Sequence, residues 1–148
     1  MEIIRLQSVT EDQIGEILAL MRELDPEIRV TPEMIRRSLG EPHTCFFALM
    51  DEGHIVGCAS LCVIYSPTGC KAHVEDVVVL SSYRGRNLGR CLMEHLISYA
   101  QTEFPGADGY LTSRPQRVAA NALYQALGFR RRETNVYKLS CREATEWE

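Results

Sequence analysis

A short polar turn and the helix that follows it carry the residues best suited to bind an anion. The turn covers residues 81–87, and the predicted helix begins at residue 88. The glycines and arginines there are Arg84, Gly85, Arg86, Gly89 and Arg90. A helix N-terminus leaves about four backbone N–H groups unpaired and carries a partial positive charge. Because glycines allow close approach and arginines add bidentate donors, this arrangement fits a pyrophosphate.

From the spacing alone, a solvated basic turn ahead of an ordinary helix stays open as the alternative. The segment lacks the Gly-Lys-Ser/Thr ending of a nucleotide-binding P-loop. It also follows the fourth predicted strand, whereas the dinucleotide-binding fingerprint follows the first strand of its fold. Neither of these two phosphate-binding patterns therefore accounts for the glycines.

The composition excludes several classes of protein. The chain has 148 residues, of which 45% are hydrophobic and 24% charged, and this is the balance of a globular domain rather than a disordered or fibrous chain. No apolar run approaches the ~20 residues of a membrane-spanning helix. The net charge of −4 provides no basic surface for nucleic acid over the whole domain. We therefore expect a single domain over residues 1–148 that binds neither membranes nor nucleic acid.

Six cysteines are present, but none forms a C-x-x-C pair. The spacings of zinc ribbons and thioredoxin-like proteins are thus missing, and His73 has no second metal ligand at a suitable spacing. The first residues also lack the basic and apolar regions of a secretory signal. We expect a cytoplasmic protein with reduced, mostly buried cysteines and no bound metal.

The pattern of apolar residues predicts the element order β, α, α, β, β, β, α, β, α, β. The first helix has a capping box formed by Thr10 and Gln13, and the second begins at Thr31-Pro32. The later segments are strands over 44–50, 55–65 and 71–80, a helix over 88–100, a strand over 109–113, a helix from Pro115 that ends before Gly128, and a strand over 129–139. This order predicts a mixed α/β sheet with antiparallel hairpins early and crossover units late.

Two motifs in this order resemble the GNAT acetyltransferase superfamily. Its acetyl-CoA motif, Arg/Gln-x-x-Gly-x-Gly/Ala at a strand-to-helix turn, is similar to Arg84-Gly85-Arg86-Asn87-Leu88-Gly89. Asn87 stands where the first motif glycine is usual, and asparagine tolerates left-handed backbone better than most residues. The second motif, Ala-x-x-Leu-Tyr-x-x-x-Gly-Phe, is present as Ala120, Leu123, Tyr124, Gly128 and Phe129. The family often has asparagine three residues before that alanine, where this chain has Arg117.

The resemblance implies a sheet of six or seven strands, flanked by about four helices, that splays open between its fourth and fifth strands. Acetyl-CoA would lie in that opening as the cosubstrate. Its pantetheine would pair with the backbone of Val77, Val78 and Val79, and its pyrophosphate would bind the amides of residues 84–90. Asn121, one turn before the motif tyrosine, is a further candidate contact with the cofactor.

The reaction implied by the resemblance is direct transfer of the acetyl group to an amine, without an acyl-enzyme. Glu75 and Asp76, here called the acidic pair, interrupt an otherwise apolar strand and are the candidates for the base that deprotonates the amine. Glu75 is preferred; alternation would point one carboxylate to each face unless a bulge intervenes. Backbone N–H groups at the splayed strand would hold the oxyanion, and Tyr124 would protonate the departing thiolate.

The sequence does not identify the acceptor, which is an amine of either a small molecule or a peptide. A non-catalytic acyl-CoA-binding regulatory module is the alternative function, and the presence of both Tyr124 and the acidic pair favours the enzyme. A peptide-binding or nucleic-acid-binding domain is disfavoured by the net charge and by the lack of an aromatic and basic stripe. The sequence leaves open whether the chain is a monomer or a homodimer.

Overall fold

The computed structural model describes residues 1–141. These residues divide into two compact units, and the boundary along the chain falls after Ser113. The first unit contains strands β1 (Glu2–Leu6), β2 (Thr44–Asp51), β3 (His54–Ser66), β4 (Gly69–Val79) and β5 (Asp108–Tyr110), and helices α1 (Glu11–Leu24), α2 (Pro32–Gly40) and α3 (Leu88–Glu103). The second unit contains helix α4 (Val118–Ala126). The organisation as a single domain stays a prediction.

Local sequence signals account for where the first two helices begin. The Thr10 hydroxyl accepts a hydrogen bond from the Gln13 backbone N–H, and the Gln13 side chain accepts one from the Thr10 N–H. Thr31 caps α2 in the same way by accepting from Met34 N–H, and Pro32 is the first helical residue. Both predicted starts are confirmed, because each side chain satisfies an amide that the helix itself leaves unpaired.

The sheet has the order β1-β2-β3-β4-β5. The first four strands pair antiparallel, and β5 pairs parallel to β4 over a short stretch, Lys71–His73 against Asp108–Tyr110. Beyond His73, β4 continues to Val79 along β3 without a ladder to β5. This early end of the pairing is the splay expected between the fourth and fifth strands.

Helices cover the two faces of the sheet differently. Phe46 lies in a core with α1 and α2, whereas the ring of its neighbour Phe47 contacts His95 and Tyr99 of α3 edge-on, with centroids 5.0 and 4.9 Å apart. Because successive residues of a strand point to opposite faces, α3 lies on the face opposite α1 and α2. The α3 residues that are buried there are Leu92, Met93 and Leu96.

The sheet has five strands in the described residues, instead of the six or seven that were expected. The strand predicted over 129–139 is wrong, because residues 129–141 form no strand. Val136, Tyr137 and Leu139 are 74%, 87% and 72% exposed, so the apolar residues that suggested a strand have no sheet to pack against. A high local β-propensity indicates that the side chains of a segment would fit a half-buried sheet surface. It does not provide the partner strand that the segment needs. The polar tail predicted from residue 140 lies outside the described residues after residue 141.

Candidate functional site

β4 contains a β-bulge at the acidic pair. The register with β3 skips one residue between Cys58 and Ser60, so that Ala59 lies opposite two residues of β4, Asp76 and Val77. Asp76 has φ 53°, in the left-handed region that few residues other than glycine adopt. The bulge breaks the alternation of side chains, and both members of the acidic pair are exposed at the surface. The regular alternation that would point one carboxylate to each face is therefore interrupted by a bulge, a case that the sequence left open.

The surroundings of the acidic pair favour the protonated carboxyl groups. Although both residues keep exposed surface, the surrounding protein partly desolvates the Glu75 carboxyl group and raises its pKa; the negative charge of Asp76 raises this pKa further, and His73 opposes the shift. Partial burial also raises the pKa of Asp76. A carboxylate with a raised pKa holds a proton more strongly, which is the property required of a general base that works near neutral pH.

A row of polar side chains crosses the sheet beside Glu75. The register places Thr44, Cys62, His73 and Tyr110 side by side on β2, β3, β4 and β5. The rings of His73 and Tyr110 stack with centroids 5.4 Å apart and planes 23° apart. All four residues are half-buried, and they share the α1 and α2 face with Glu75 because the residues of each strand alternate. The row therefore offers a partly open polar surface at the start of the splay.

The turn after β4 leaves the α3 N-terminus available to a ligand. Gly85 has φ 82°, and Asn87, the N-cap of α3, lies in the left-handed region with φ 58° and ψ 24°. Asn87 thus adopts the conformation that a motif glycine would supply. Within the described chain no side chain caps this helix, and its first turn contains no acidic residue. The first amides of α3 therefore point toward the turn with their positive partial charge uncompensated.

Contacts from distant elements fix the shape of the turn. The Tyr83 hydroxyl donates to Asp51 Oδ2 at 2.6 Å, which ties the turn to the end of β2. Glu23, near the end of α1, accepts from the Ser81 hydroxyl at 2.9 Å and from Arg84 at 3.4 Å. Sequence reasoning missed Asp51 and Glu23, because nothing in their local pattern indicates a partner 30 to 60 residues away.

Each of the three arginines contacts a group of the protein itself. Arg84 pairs with Glu23, Arg86 lies 5.0 Å from the centroid of the Tyr83 ring, and Arg90 pairs with Glu94 at 3.0 Å. The paired arginine side chains are 58% and 46% exposed, so these ion pairs are weak in water. A phosphate can displace such partners at little cost.

The stretch of β4 that follows the bulge forms an edge. Val78 is buried in the core with α1, and Val77 and Val79 are half-buried. On the side away from β3, these residues have no strand partner in the part of the chain that the structure describes. The backbone expected to pair with pantetheine therefore has no strand partner on this side among the described residues, and it lies between the acidic pair and the turn of residues 81–87.

In the second unit, the tyrosine motif forms the end of α4. Phe129 N–H donates to Tyr124 C=O at 3.0 Å and Gly128 N–H donates to Gln125 C=O at 3.1 Å, which is the hydrogen-bond pattern of a Schellman cap. Gly128 has φ 102°, and the rings of Tyr124 and Phe129 pack edge to face at 6.2 Å. The spacing Tyr-x-x-x-Gly-Phe thus has a structural explanation, and the predicted role of Gly128 is confirmed. Tyr124 is buried.

Asn121 joins α4 to the segment before it. Its side-chain N–H₂ donates to the backbone carbonyl of Arg114 at 3.0 Å, and α4 begins at Val118 rather than at Pro115 as predicted. Pro115 lies in a turn instead, where the Arg117 N–H bonds to the Arg114 carbonyl. The side-chain N–H₂ group of Asn121 is therefore hydrogen-bonded within the protein. A contact between Asn121 and a cofactor stays a prediction.

Residues 1–141 show neither a metal-binding cluster nor a membrane-spanning helix. No group of three or more His, Cys, Asp or Glu side chains among residues 1–141 is arranged to hold a metal ion. None of the helices in that range combines the length and the apolarity needed to cross a bilayer.

Comparison with known proteins gives a consistent result. The sequence model of the acetyltransferase (GNAT) family matches residues 12–129. Over 100 residues the chain is 31% identical to N-alpha-acetyltransferase RimI of Mycobacterium tuberculosis, a match that covers 68% of this chain and 61% of the relative. A second match, to an uncharacterized protein of Mycobacterium leprae, covers 25% of the length of that protein. The chain thus spans less than two thirds of the length of the curated relatives it matches.

Solved structures share the fold. A putative acetyltransferase from Agrobacterium tumefaciens aligns with a TM-score of 0.81 at 22% identity, covering 95% of this chain and 100% of that one. An aminoglycoside N-acetyltransferase in complex with CoA aligns with a TM-score of 0.77 at 17% identity, covering 95% of both chains.

Replacing Glu75 by glutamine should stabilise the protein at neutral pH. Because the folded state raises the pKa of Glu75, it binds the proton more tightly than the unfolded state, and the free energy of unfolding falls as pH rises through the folded pKa. Glutamine does not ionise, so Glu75→Gln removes this loss of unfolding free energy at high pH. Urea unfolding should therefore give a higher free energy for the variant at about pH 7, with the gain shrinking toward about pH 4, where carboxyl groups are protonated.

The matched control is Glu27→Gln, an exposed glutamate in the loop between α1 and α2. It should not reproduce the pH-dependent gain. A Glu75→Gln variant that is less stable than the wild type at neutral pH would contradict the unfavourable surroundings assigned to this carboxylate.

Proposed function

Since the chain belongs to the GNAT acetyltransferase family, we propose that it transfers the acetyl group of acetyl-CoA directly to a primary amine of a small molecule or a peptide. One observation carries the proposal. The uncapped N-terminus of α3, the open edge of β4 and the acidic pair follow one another along a single stretch of backbone. This order supports the proposal, because acetyl-CoA has an anionic end, an extended pantetheine chain and a reactive thioester that would need these features one after another.

The turn of residues 81–87 and the first residues of α3 would hold the pyrophosphate of acetyl-CoA. The residues proposed to contact it are Arg84, Gly85, Arg86, Asn87, Leu88, Gly89 and Arg90. A Cβ atom at position 89 would meet nothing within 4 Å, so there is open space directly beside Gly89 in the first turn of α3. Pantetheine would lie along the edge formed by Val77, Val78 and Val79, where amide and carbonyl groups of an extended chain can pair as a strand does.

The acceptor amine would approach from the α1 and α2 face, where Glu75 adjoins the polar row. Its nitrogen must be neutral to attack, so Glu75 takes a proton from it, directly or through a water molecule. The nitrogen lone pair then forms the C–N bond to the thioester carbon, and the carbonyl oxygen becomes an oxyanion. When the oxyanion collapses, the C–S bond breaks and CoA leaves as a thiolate, while the nitrogen, which carries a positive charge after its attack, releases a second proton to water and becomes the neutral amide.

Tyr124 is the proposed acid that returns a proton to this thiolate, and Asp76 is the alternative base. Aligning Tyr124 with the family tyrosine supports this role, and the Schellman cap gives its place on α4 a defined geometry. Asn121 is proposed to contact the cofactor through its amide oxygen, because its N–H₂ group bonds to Arg114.

Relatives support two classes of acceptor. RimI is by name an N-alpha-acetyltransferase, which favours a peptide α-amine, and solved structures of similar fold include aminoglycoside acetyltransferases. The higher sequence identity belongs to the first class, and the half-buried polar row is compatible with both.

Acetylation of an amine panel tests the proposal. The panel consists of a peptide with a free α-amine, the same peptide with a blocked N-terminus, kanamycin and spermidine. We expect one acetyl group on at least one free amine, and none on the blocked peptide if the α-amine is the acceptor. Products should be measured by mass, because the six cysteines of the protein would react with a thiol reagent. Tight binding of acetyl-CoA without any product would instead support the non-catalytic module.

Tyr124→Phe should lower kcat by about 10²–10⁴-fold on an amine that is acetylated, the usual contribution of a general acid. The affinity for acetyl-CoA should stay nearly unchanged, because the ring that packs on Phe129 is retained. The loss should be smaller at high pH, where the thiolate leaves without a proton. A variant with wild-type kcat at about pH 7, with chemistry shown to be rate-limiting by single-turnover kinetics, would remove Tyr124 from the mechanism.

A further inference from the structure

A buried thiol contacts the backbone of the β4 bulge. Cys58 on β3 is completely buried, and its Sγ–H donates to the backbone carbonyl of Asp76 at 3.6 Å. Asp76 is the residue of the bulge with a left-handed backbone. The thiol thus contacts the peptide group that joins Asp76 to Val77, at the point where β4 departs from regular pairing.

This contact sets the direction of the next amide. In a planar trans peptide, the C=O and N–H groups point in opposite directions. Since the Asp76 carbonyl points toward Cys58 on β3, the Val77 N–H points away from β3. On that side β4 has no ladder to β5 after His73. The Val77 amide is therefore directed toward the opening in which the proposed function places acetyl-CoA.

The bulge needs such a contact because its backbone is strained. A residue other than glycine is strained in the left-handed region, and the surrounding structure must offset this strain. Burial and the charge of Asp76 both raise the pKa of Cys58, so the thiol keeps its proton and stays a donor. Without a donor at this position, the peptide group is free to rotate toward regular strand geometry.

We propose that Cys58 is a positioning residue that fixes the peptide between Asp76 and Val77, so that the Val77 N–H donates to the thioester carbonyl oxygen of acetyl-CoA and to the oxyanion formed from it. The inference rests on the proposed function and adds to it a residue that touches neither substrate. The structure assigns the role by contact, because the thiol bonds to the bulge itself.

The chain contains a matched control for this thiol. Cys45 on β2 is also buried, with 1% exposure, and its Sγ–H faces the Tyr99 hydroxyl at 3.9 Å on the α3 face of the sheet. Cys45→Ala and Cys58→Ala remove the same atom from a buried strand position. Only Cys58→Ala removes a contact with the bulge, so a difference between the two variants reports on that contact.

The experiment compares binding of acetyl-CoA and of CoA by calorimetry. These ligands differ only by the acetyl group, so the ratio of their dissociation constants measures contacts to that group. Cys58→Ala should shift the ratio toward CoA by about 2–10-fold, the value of one hydrogen bond. Cys58→Ser, which keeps a donor at this position, should restore the wild-type ratio, and Cys45→Ala should leave it unchanged. On an accepted amine, kcat should fall in Cys58→Ala and recover in Cys58→Ser.

An unchanged ratio in Cys58→Ala would overturn the inference, and so would an equal shift in Cys45→Ala, because general loosening of the core would then explain both. Thermal unfolding of each variant verifies that the proteins are folded under the conditions of the titration. Failure of the wild type to bind either ligand is a separate outcome that would overturn the proposed function, whereas wild-type binding with an unaffected Cys58→Ala overturns only the role of Cys58.

Discussion

The separation of β4 from β5 after His73 is the constraint on which the rest of the site depends. β4 must remain bonded to β3 on one side while its other side is left open, and unpaired backbone in a sheet is costly unless water or a ligand satisfies it. The bulge at Asp76 lies in this stretch, and the Cys58 thiol contacts its backbone carbonyl. An edge that would be a liability in a purely structural sheet would thus, in the proposed function, serve as a surface for an extended ligand.

Electrostatics divide the site into two regions of opposite sign. The α3 N-terminus and its three arginines are positive, and their weak, exposed ion pairs can be exchanged for a phosphate. The acidic pair at the other end of the open edge is negative, and partial burial raises the pKa of both carboxyl groups. In the proposed reaction, an anionic cofactor and a cationic amine would therefore be attracted to different ends of the same strand.

Features that depend on neighbouring residues could be predicted from the sequence. The caps at Thr10 and Thr31, the left-handed Asn87 and the Gly128 helix end are each specified by a few adjacent side chains. Features set by register between distant strands could not be predicted. The bulge, the thiol beneath it and the stacking of His73 on Tyr110 exist only once β3, β4 and β5 are aligned.

The wrong strand over 129–139 has the same origin, because a segment with strand-like residues needs a partner that local pattern does not reveal. The turn of residues 81–87 lies between these cases. Its glycine and asparagine conformations follow from local sequence, but the side chains of Glu23 and Asp51 that hold it come from other elements.

Calorimetric titration of acetyl-CoA into the wild type, Gly89→Glu and Gly15→Glu tests the central claim most directly. Both glycines are helical residues at which a Cβ would meet nothing within 4 Å, so neither substitution is expected to disturb the fold. Like charges brought together cost several kcal/mol, so Gly89→Glu should weaken binding by at least about 100-fold, and Gly15→Glu, on α1, should bind as the wild type does. Wild-type affinity in the Gly89→Glu variant would contradict the account, because the pyrophosphate would then lie elsewhere than on the α3 N-terminus.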